Sequence, residues 1–84
     1  MYDTVIFNGD EFQTKQFNCK LDTLHITTRL LRVPLEEELY DAEDMNFHGE
    51  MNFYRDNPQT RRWEEWTARF VNGNFIAARK DKKL

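Results

Sequence analysis

Two segments in the second half of the chain alternate apolar and polar residues, and this alternation most limits what the chain can fold into. They are residues 47–54 and 64–70. A period of two is typical of a β-strand with one buried face. Asn72-Gly73 follows the second segment, and Asn-Gly between apolar runs is the strongest short hairpin signal, because both central residues of a type I′ turn need a positive φ. The pattern predicts three consecutive antiparallel strands within residues 47–79.

We predict the register of the first two of these strands by placing Tyr54 opposite Trp63. The inward-facing pairs of this register are Met51–Trp66, Gly49–Ala68 and Phe47–Phe70. The pairs expected beyond the turn are Phe70–Phe75 and Ala68–Ala77. This register places a stripe of small residues across three strands, formed by Gly49, Ala68 and Ala77. We expect an aromatic side chain from the other half, such as Phe12 or Phe17, to cover the stripe, and a ligand cleft there is the less favoured interpretation.

The first half of the chain is predicted to supply further strands. They are residues 2–7, 11–17, 21–26 and 30–33, with a tight turn at Asn8-Gly9-Asp10. Because Thr27-Thr28 is a poor hairpin turn, the last two runs are alternatively one bent strand. Pro34 ends strand pairing. Residues 35–43 suit either a two-turn helix or an ordered acidic loop, and we favour the loop.

The whole chain is therefore predicted to be one all-β domain, residues 1–84, with at most one short helix. We expect an antiparallel meander of six to seven strands that curls into a half-barrel, with residues 80–84 as a frayed tail. An open meander leaves an edge strand that is able to pair with another chain. The sequence leaves the oligomeric state open.

Composition indicates a cytoplasmic protein. Cys19 is the single cysteine, so no intramolecular disulfide forms, which fits a reducing compartment. The first residues lack a basic, apolar signal peptide, and no apolar run approaches the ~20 residues that span a bilayer. Charge is segregated, because residues 35–56 carry eight acids against Arg55 alone, a net charge of −7. Residues 57–84 carry seven bases against three acids, a net charge of +4.

The sequence offers little support for catalysis or for a cofactor. It has no serine, and Cys19 with His25 as its base is less favoured than a half-buried structural cysteine. Neither histidine has metal-ligand spacing, so no metal and no cofactor are predicted. On the predicted register Glu64 lies opposite Phe53, where burial would raise its pKa. The favoured alternative is that Glu64 reaches solvent or pairs with Arg79.

The first predicted binding surface is the acidic segment, residues 36–44. A run of carboxylates is able to imitate a nucleic-acid backbone and to occupy a basic groove on another protein, although plain solubility also accounts for it. The residues assigned to this surface are Glu36, Glu37, Glu38, Tyr40, Asp41, Glu43 and Asp44. The acids would steer association and Tyr40 would act as the aromatic anchor.

The second predicted surface is the outward face of the same C-terminal strands, which we call the aromatic–arginine face. Its residues are Tyr54, Arg61, Arg62, Trp63 and Arg69. Aromatic rings with arginines on a sheet suit single-stranded nucleic acid, whose bases stack on the rings, and they equally suit a protein interface. Alternatively, the acidic segment or the N-terminal strands cover this face, and Ile76 on the same face favours covering.

Several short patterns resemble those of a group of small bacterial and phage proteins that have no established activity. The residues that carry the resemblance are Phe12-Gln13-Thr14-Lys15, Cys19, Leu21-Asp22-Thr23, Leu30-Leu31-Arg32, Phe47-His48-Gly49-Glu50, Phe53-Tyr54, Ala68-Arg69-Phe70 and Gly73. The group usually has a glycine turn where this chain has Thr27-Thr28. The resemblance implies a phage or prophage origin and a small protein that acts by binding.

Taken together, the sequence favours a non-enzymatic protein that docks on a larger host or phage protein through the acidic segment. The alternative is a single-stranded nucleic-acid-binding module that uses the aromatic–arginine face. Neither interpretation involves a membrane.

Overall fold

The chain forms eight β-strands and one turn of 3₁₀ helix within residues 1–81, the part that this computed structural model describes. The strands are β1 (Asp3–Phe7), β2 (Asp10–Thr14), β3 (Thr23–Ile26), β4 (Leu30–Val33), β5 (Glu43–Asp44), β6 (Gly49–Asp56), β7 (Trp63–Val71) and β8 (Asn74–Lys80). The 3₁₀ turn is Leu39–Asp41. The all-β class is confirmed. No helix of residues 1–81 has the length and apolar composition needed to cross a membrane.

The eight strands form one sheet in the order β5-β4-β3-β1-β2-β6-β7-β8. Every neighbouring pair is antiparallel except β1 and β3, which are parallel because residues 15–22 carry the chain from the end of β2 back to the start of β3. The predicted antiparallel meander of six to seven strands is therefore wrong in strand number and in two neighbours, because β1 pairs with β3 and β2 pairs with β6. The sheet curls without closing, and a bridge between Arg29 and Asn74 brings its two ends together.

The ladder between β6 and β7 is shifted by two residues from the predicted register. Phe53 lies opposite Trp66, and Tyr54 lies opposite Glu65 rather than Trp63. The shift arises because the Asn57 N–H bonds to the Arg62 carbonyl and closes a short loop, so that pairing extends into residues predicted as loop. Since side chains alternate with a period of two, a two-residue shift keeps each side chain on its predicted face.

The Asn72-Gly73 hairpin is confirmed. Both residues have positive φ, 49° and 87°, and Phe70 lies opposite Phe75. A bulge between Arg69 and Phe70 then moves the register, so that Ala68 faces Ala78 and Ala77 is exposed.

The predicted stripe of small residues is consequently wrong. Gly49 lies opposite Phe70, and its neighbour Phe47, not Phe12 or Phe17, covers the place where a Gly49 side chain would lie.

The backbone decides three further predictions, and one of them, the favoured acidic loop, is confirmed. Residues 23–26 and 30–33 pair antiparallel as a hairpin, because the three-residue loop 27–29 needs no threonine with positive φ, so the single bent strand is wrong. Residues 35–42 form a loop with one 3₁₀ turn rather than a two-turn helix. Strand β8 continues to Lys80, so Lys80 is not part of a frayed tail, and residues 82–84 lie outside the described part.

The hydrophobic core fills the inside of the curled sheet. Every strand except the two-residue β5 contributes an inward-facing apolar side chain. The buried set is Val5, Phe12, Leu24, Leu30, Val33, Met51, Phe53, Ala68 and Phe70. Phe7 joins the two halves, because its ring contacts four other rings at centroid distances between 5.4 and 6.5 Å. These tilted and edge-on contacts are the arrangement that aromatic rings prefer.

Candidate binding surfaces

The acidic segment follows β4 and includes β5 at its end, and contacts within the protein hold it on both sides. At its start, the Leu35 N–H donates to the Asp22 carboxylate at 3.2 Å. At its end, Glu43 bonds to Arg32 at 2.8 Å and Asp44 bonds to Arg29 at 2.7 Å. These contacts place residues 36–42 on the surface as an anchored loop.

Two of the residues predicted for the acidic binding surface thus form ion pairs within the protein. Hydrogen bonding from the Arg29 side chain, and then from the Asn46 N–H, lowers the pKa of Asp44. Hydrogen bonding to Glu43 raises the pKa of Arg32. Glu43 and Asp44 therefore hold β5 in place through their arginine partners. Because these arginines neutralise part of their charge, neither acid presents a full negative charge to another protein.

The remaining acids stay in solvent. Glu36, Glu37 and Glu38 are exposed and form no ion pair with any residue of the described chain. Asp41 accepts the Glu38 N–H at 3.3 Å, which closes the 3₁₀ turn.

Large apolar side chains are exposed beside these acids. Tyr40 is 86% exposed, Leu39 59% and Leu35 56%. Single exposed apolar residues are ordinary on protein surfaces, but three within six positions of one loop are typical of a contact surface. The sequence pattern did not predict this exposure of Leu35 and Leu39.

The aromatic–arginine face is only partly assembled. Tyr54 and Trp63 stack with ring centroids 5.1 Å apart and planes at 24°, as diagonal neighbours on the shifted register. Trp63 is 39% exposed and Ile76 is 55% exposed. The acidic segment and the N-terminal strands therefore leave these two side chains at least partly exposed.

The arginines of this face do not converge on the aromatic pair. Arg61 and Arg62 lie in the loop before β7, whereas Arg69 is six residues beyond Trp63, roughly 20 Å along the strand. Acids are interspersed, since Glu50 lies opposite Arg69 and the Trp63 indole N–H donates to Glu65 at 2.8 Å. The face is therefore of mixed charge.

Glu64 lies on the inward side of β7, where it is 6% exposed and faces Arg55 rather than Phe53. Its carboxylate accepts hydrogen bonds from Arg55 and from Asn57 Nδ2 at 3.2 Å, and Lys80 Nζ lies 3.3 Å away. Burial raises the pKa of Glu64, but the hydrogen bonds and charges of Arg55 and Lys80 outweigh burial, so the pKa lies below its usual value. The predictions of a raised pKa and of Arg79 as partner are wrong.

An open cleft of about 770 Å³ lies beside this carboxylate. Its lining residues are Asn57, Thr60, Arg62, Trp63, Glu64, Lys80 and Asp81. Because three side chains already hold Glu64 in its ionised form, the carboxylate acts as the centre of a structural ion-pair cluster. It holds no proton to donate near neutral pH.

Two buried aspartates, neither of them predicted from the sequence, organise the part of the fold that carries the acidic segment. Asp3 is 1% exposed, and its carboxylate accepts N–H groups of Cys19, Lys20 and Asp22 at 3.0–3.1 Å. Asp22 in turn bonds to Arg32 at 3.2 Å. A sequence signal existed, because Asp3 lies two residues before Val5 and therefore on the buried face of β1.

The remaining candidates for chemistry are dispersed. Cys19 Sγ lies 3.6 Å from the Lys15 carbonyl, and His25 is a member of β3 opposite Leu31. Among residues 1–81 no three His, Cys, Asp or Glu side chains come together as a metal-binding group.

Comparisons with protein-family models, with curated proteins and with solved structures return no match for this chain. The function is therefore argued from the two surfaces themselves.

Proposed function

We propose that this protein is a non-enzymatic binding protein that docks on a larger, positively charged protein through the acidic segment. The observation that carries the proposal is the exposure of Leu35, Leu39 and Tyr40 next to three carboxylates that form no ion pair within residues 1–81. Protein interfaces combine an apolar, preferably aromatic, anchor with a polar rim, and this loop offers both. The resemblance to phage proteins would make the partner a host protein of the cytoplasm.

In the proposed mechanism, the acids set the rate of association and Tyr40 sets the lifetime of the complex. Carboxylates that no internal cation neutralises create a negative field, which speeds encounter with a basic groove. Tyr40 then fills an apolar pocket and sets how long the complex lasts. Because Asp22, Arg29 and Arg32 anchor the loop at both ends, little chain entropy is lost on docking.

The test begins with a nuclease-treated pull-down from the source cell, followed by association kinetics with the captured partner. Replacing Glu36 and Glu37 by lysine is expected to slow association about tenfold at low salt and to flatten its salt dependence. The matched control, Glu11→Lys with Asp56→Lys, makes the same change in net charge on other exposed strand positions and is expected to have a smaller effect.

Tyr40→Ala is expected to speed dissociation with little change in association, at a cost of about 2 kcal/mol. An association rate and salt dependence that stay the same in the double-lysine variant would contradict the proposal.

A second candidate function is single-stranded nucleic-acid binding by the aromatic–arginine face. The Tyr54–Trp63 stack, in which Trp63 is exposed and Tyr54 half-buried, is the observation that favours it, with Arg61 and Arg62 in the adjoining loop. Titrating tryptophan fluorescence with a thymidine oligonucleotide is expected to show quenching at low salt that is lost at high salt. Absence of quenching at low salt removes this candidate, and it does not affect the first.

A further inference from the structure

Strand β8 forms one edge of the sheet, and only its first part is covered. The Phe75 N–H donates outward to the Thr28 carbonyl at 2.8 Å, and Arg29 bridges Asn74. Further along the strand, the Asp81 N–H donates inward to the Glu65 carbonyl at 2.8 Å. Because main-chain groups of an antiparallel ladder alternate in direction, Ala78 and Lys80 point their N–H and C=O groups away from β7.

No described residue pairs with this outward side of Ala78 and Lys80. The other end of the sheet differs, because β5 has two residues, and ion pairs tie one to Arg32 of β4 and the other to Arg29 in the loop before β4. The uncovered part of β8 is therefore the longer open edge of the described sheet. Ile76 is the extra residue of the bulge, and regular pairing with β7 runs from Ala77 to Lys80.

Side chains around this edge define what would fit it. Ile76 is 55% exposed and Ala77 is exposed, which offers apolar contact without bulk. Arg79 and Lys80 are exposed cations on opposite faces of the strand, and Lys80 also lies 3.3 Å from the Glu64 carboxylate. The ion pairs of Arg79 with Glu50 and Asp81 are long, at 3.5 and 3.8 Å, so they are weak at this exposed site.

We propose that the open edge of β8, from Ala77 to Lys80, binds an extended acidic segment of another polypeptide as an added strand. The main chain of the segment pairs with Ala78 and Lys80, and its carboxylates lie against Arg79 and Lys80. Strand addition supplies affinity through main-chain hydrogen bonds, while charge complementarity selects the segment. This site does not overlap the acidic segment. A negative result for strand addition therefore leaves the proposed function unaffected, and the reverse also holds.

The test is a nuclear magnetic resonance titration of the full-length protein with a blocked hexapeptide of alternating glutamate and valine. We expect the amide protons of Ala78 and Lys80 to shift downfield, because they gain hydrogen bonds, while those of Ala77 and Arg79 move little. A peptide of the same sequence that is N-methylated on alternate residues keeps the charge and loses the pairing edge, and it is expected not to produce this alternation. A lysine–valine peptide is expected not to bind.

Ala78→Pro removes the outward N–H without removing a bond to β7, and proline is tolerated on the open side of edge strands. It is expected to raise the dissociation constant of the glutamate–valine peptide about tenfold. Lys80→Pro is the second variant, should packing of residue 78 against Ala68 prevent folding.

Three results would overturn the proposal. One is equal binding of the N-methylated peptide, and another is the absence of binding at millimolar concentration. In the third, the amide protons of Ala78 and Lys80 shift without peptide as the protein concentration rises. A second copy of the protein would then be the strand that pairs with β8.

Discussion

At the scale of single residues, the fold depends on acids placed inside the sheet with their partners. Asp3 and Glu64 both lie at inward positions of strands, where an isolated charge would be costly. Asp3 is satisfied by main-chain N–H groups and Glu64 by Arg55, Asn57 and Lys80. The stacking of the Arg55 guanidinium over the Phe12 ring, 4.6 Å from its centroid, joins the Glu64 cluster to the core.

Glu64→Gln is expected to lower the free energy of unfolding by about 1–3 kcal/mol at neutral pH, because Arg55 and Lys80 lose their carboxylate. The pKa of Glu64 is lowered in the folded state from its ordinary value of 4.5, so its contribution is complete above that pH. The contribution is lost as pH falls through the lowered folded-state pKa.

Urea unfolding between pH 7 and 3 checks this prediction. The native protein should lose stability below about pH 4.5 more steeply than the Gln variant. Glu11→Gln, at an exposed position of β2, is the control and should behave as the native protein does. Parallel pH curves for native protein and Glu64→Gln would contradict the assignment.

At the scale of elements, the β7–β8 hairpin combines a turn that is visible in the sequence with a contact that is not. Positive φ at Asn72 and Gly73 follows from the Asn-Gly pair itself. Gly73 is also buried, because the Arg29 guanidinium and Asn46 Oδ1 lie where a Gly73 side chain would be, the latter at 2.6 Å. The hairpin tip thus packs against two other parts of the chain.

Gly73→Ala is expected to destabilise the protein more than Gly9→Ala does. Both glycines have positive φ, 87° and 80°, so each substitution costs about 1 kcal/mol in backbone conformation. The site at Gly9 has no neighbour within 4 Å, whereas a methyl group at Gly73 displaces Arg29 and adds about 1–2 kcal/mol. Equal unfolding free energies for the two variants in urea would show that the Arg29 contact contributes nothing.

At the scale of the whole molecule, Arg29 holds the two ends of the curled sheet together. Its guanidinium bonds to the Asn72 carbonyl at 3.3 Å, to Asn74 at 3.1 Å and to Asn46 at 3.2 Å, besides its ion pair with Asp44. Further bonds cross the same seam, since the Gly73 N–H donates to the Phe47 carbonyl at 3.0 Å. Arg29 and these main-chain hydrogen bonds together keep the open sheet curled around its core.

Arg29→Lys is expected to preserve the ion pair with Asp44 and to lose the forked contacts to the hairpin, because lysine lacks the planar guanidinium. The amide of Phe75, which bonds across the seam to Thr28, should then exchange with deuterium about tenfold faster. Arg69→Lys is the control, since Arg69 is exposed and forms no ion pair among residues 1–81. Unchanged exchange at Phe75 would mean that Arg29 does not hold the seam.

The sequence by itself determined the features that depend on neighbours along the chain. Alternation with a period of two determined which side chains of β6 and β7 face inward. The inward-facing set is unchanged although the observed register differs from the predicted one by two residues. The hairpin at Asn72-Gly73 followed from local φ preferences in the same way. The acidic segment was recognisable from composition, although its exposed Leu35 and Leu39 were not.

Tertiary structure decided everything that joins residues distant in sequence. The parallel pairing of β1 with β3 and the contacts of Asp3, Arg29 and Glu64 have no local signature. Strand partners are chosen by the total free energy of packing and hydrogen bonding across the sheet, which no single segment encodes. Tertiary structure also decided which acids of residues 36–44 form ion pairs. Glu43 and Asp44 do so because only the folded chain brings Arg32 and Arg29 beside β5.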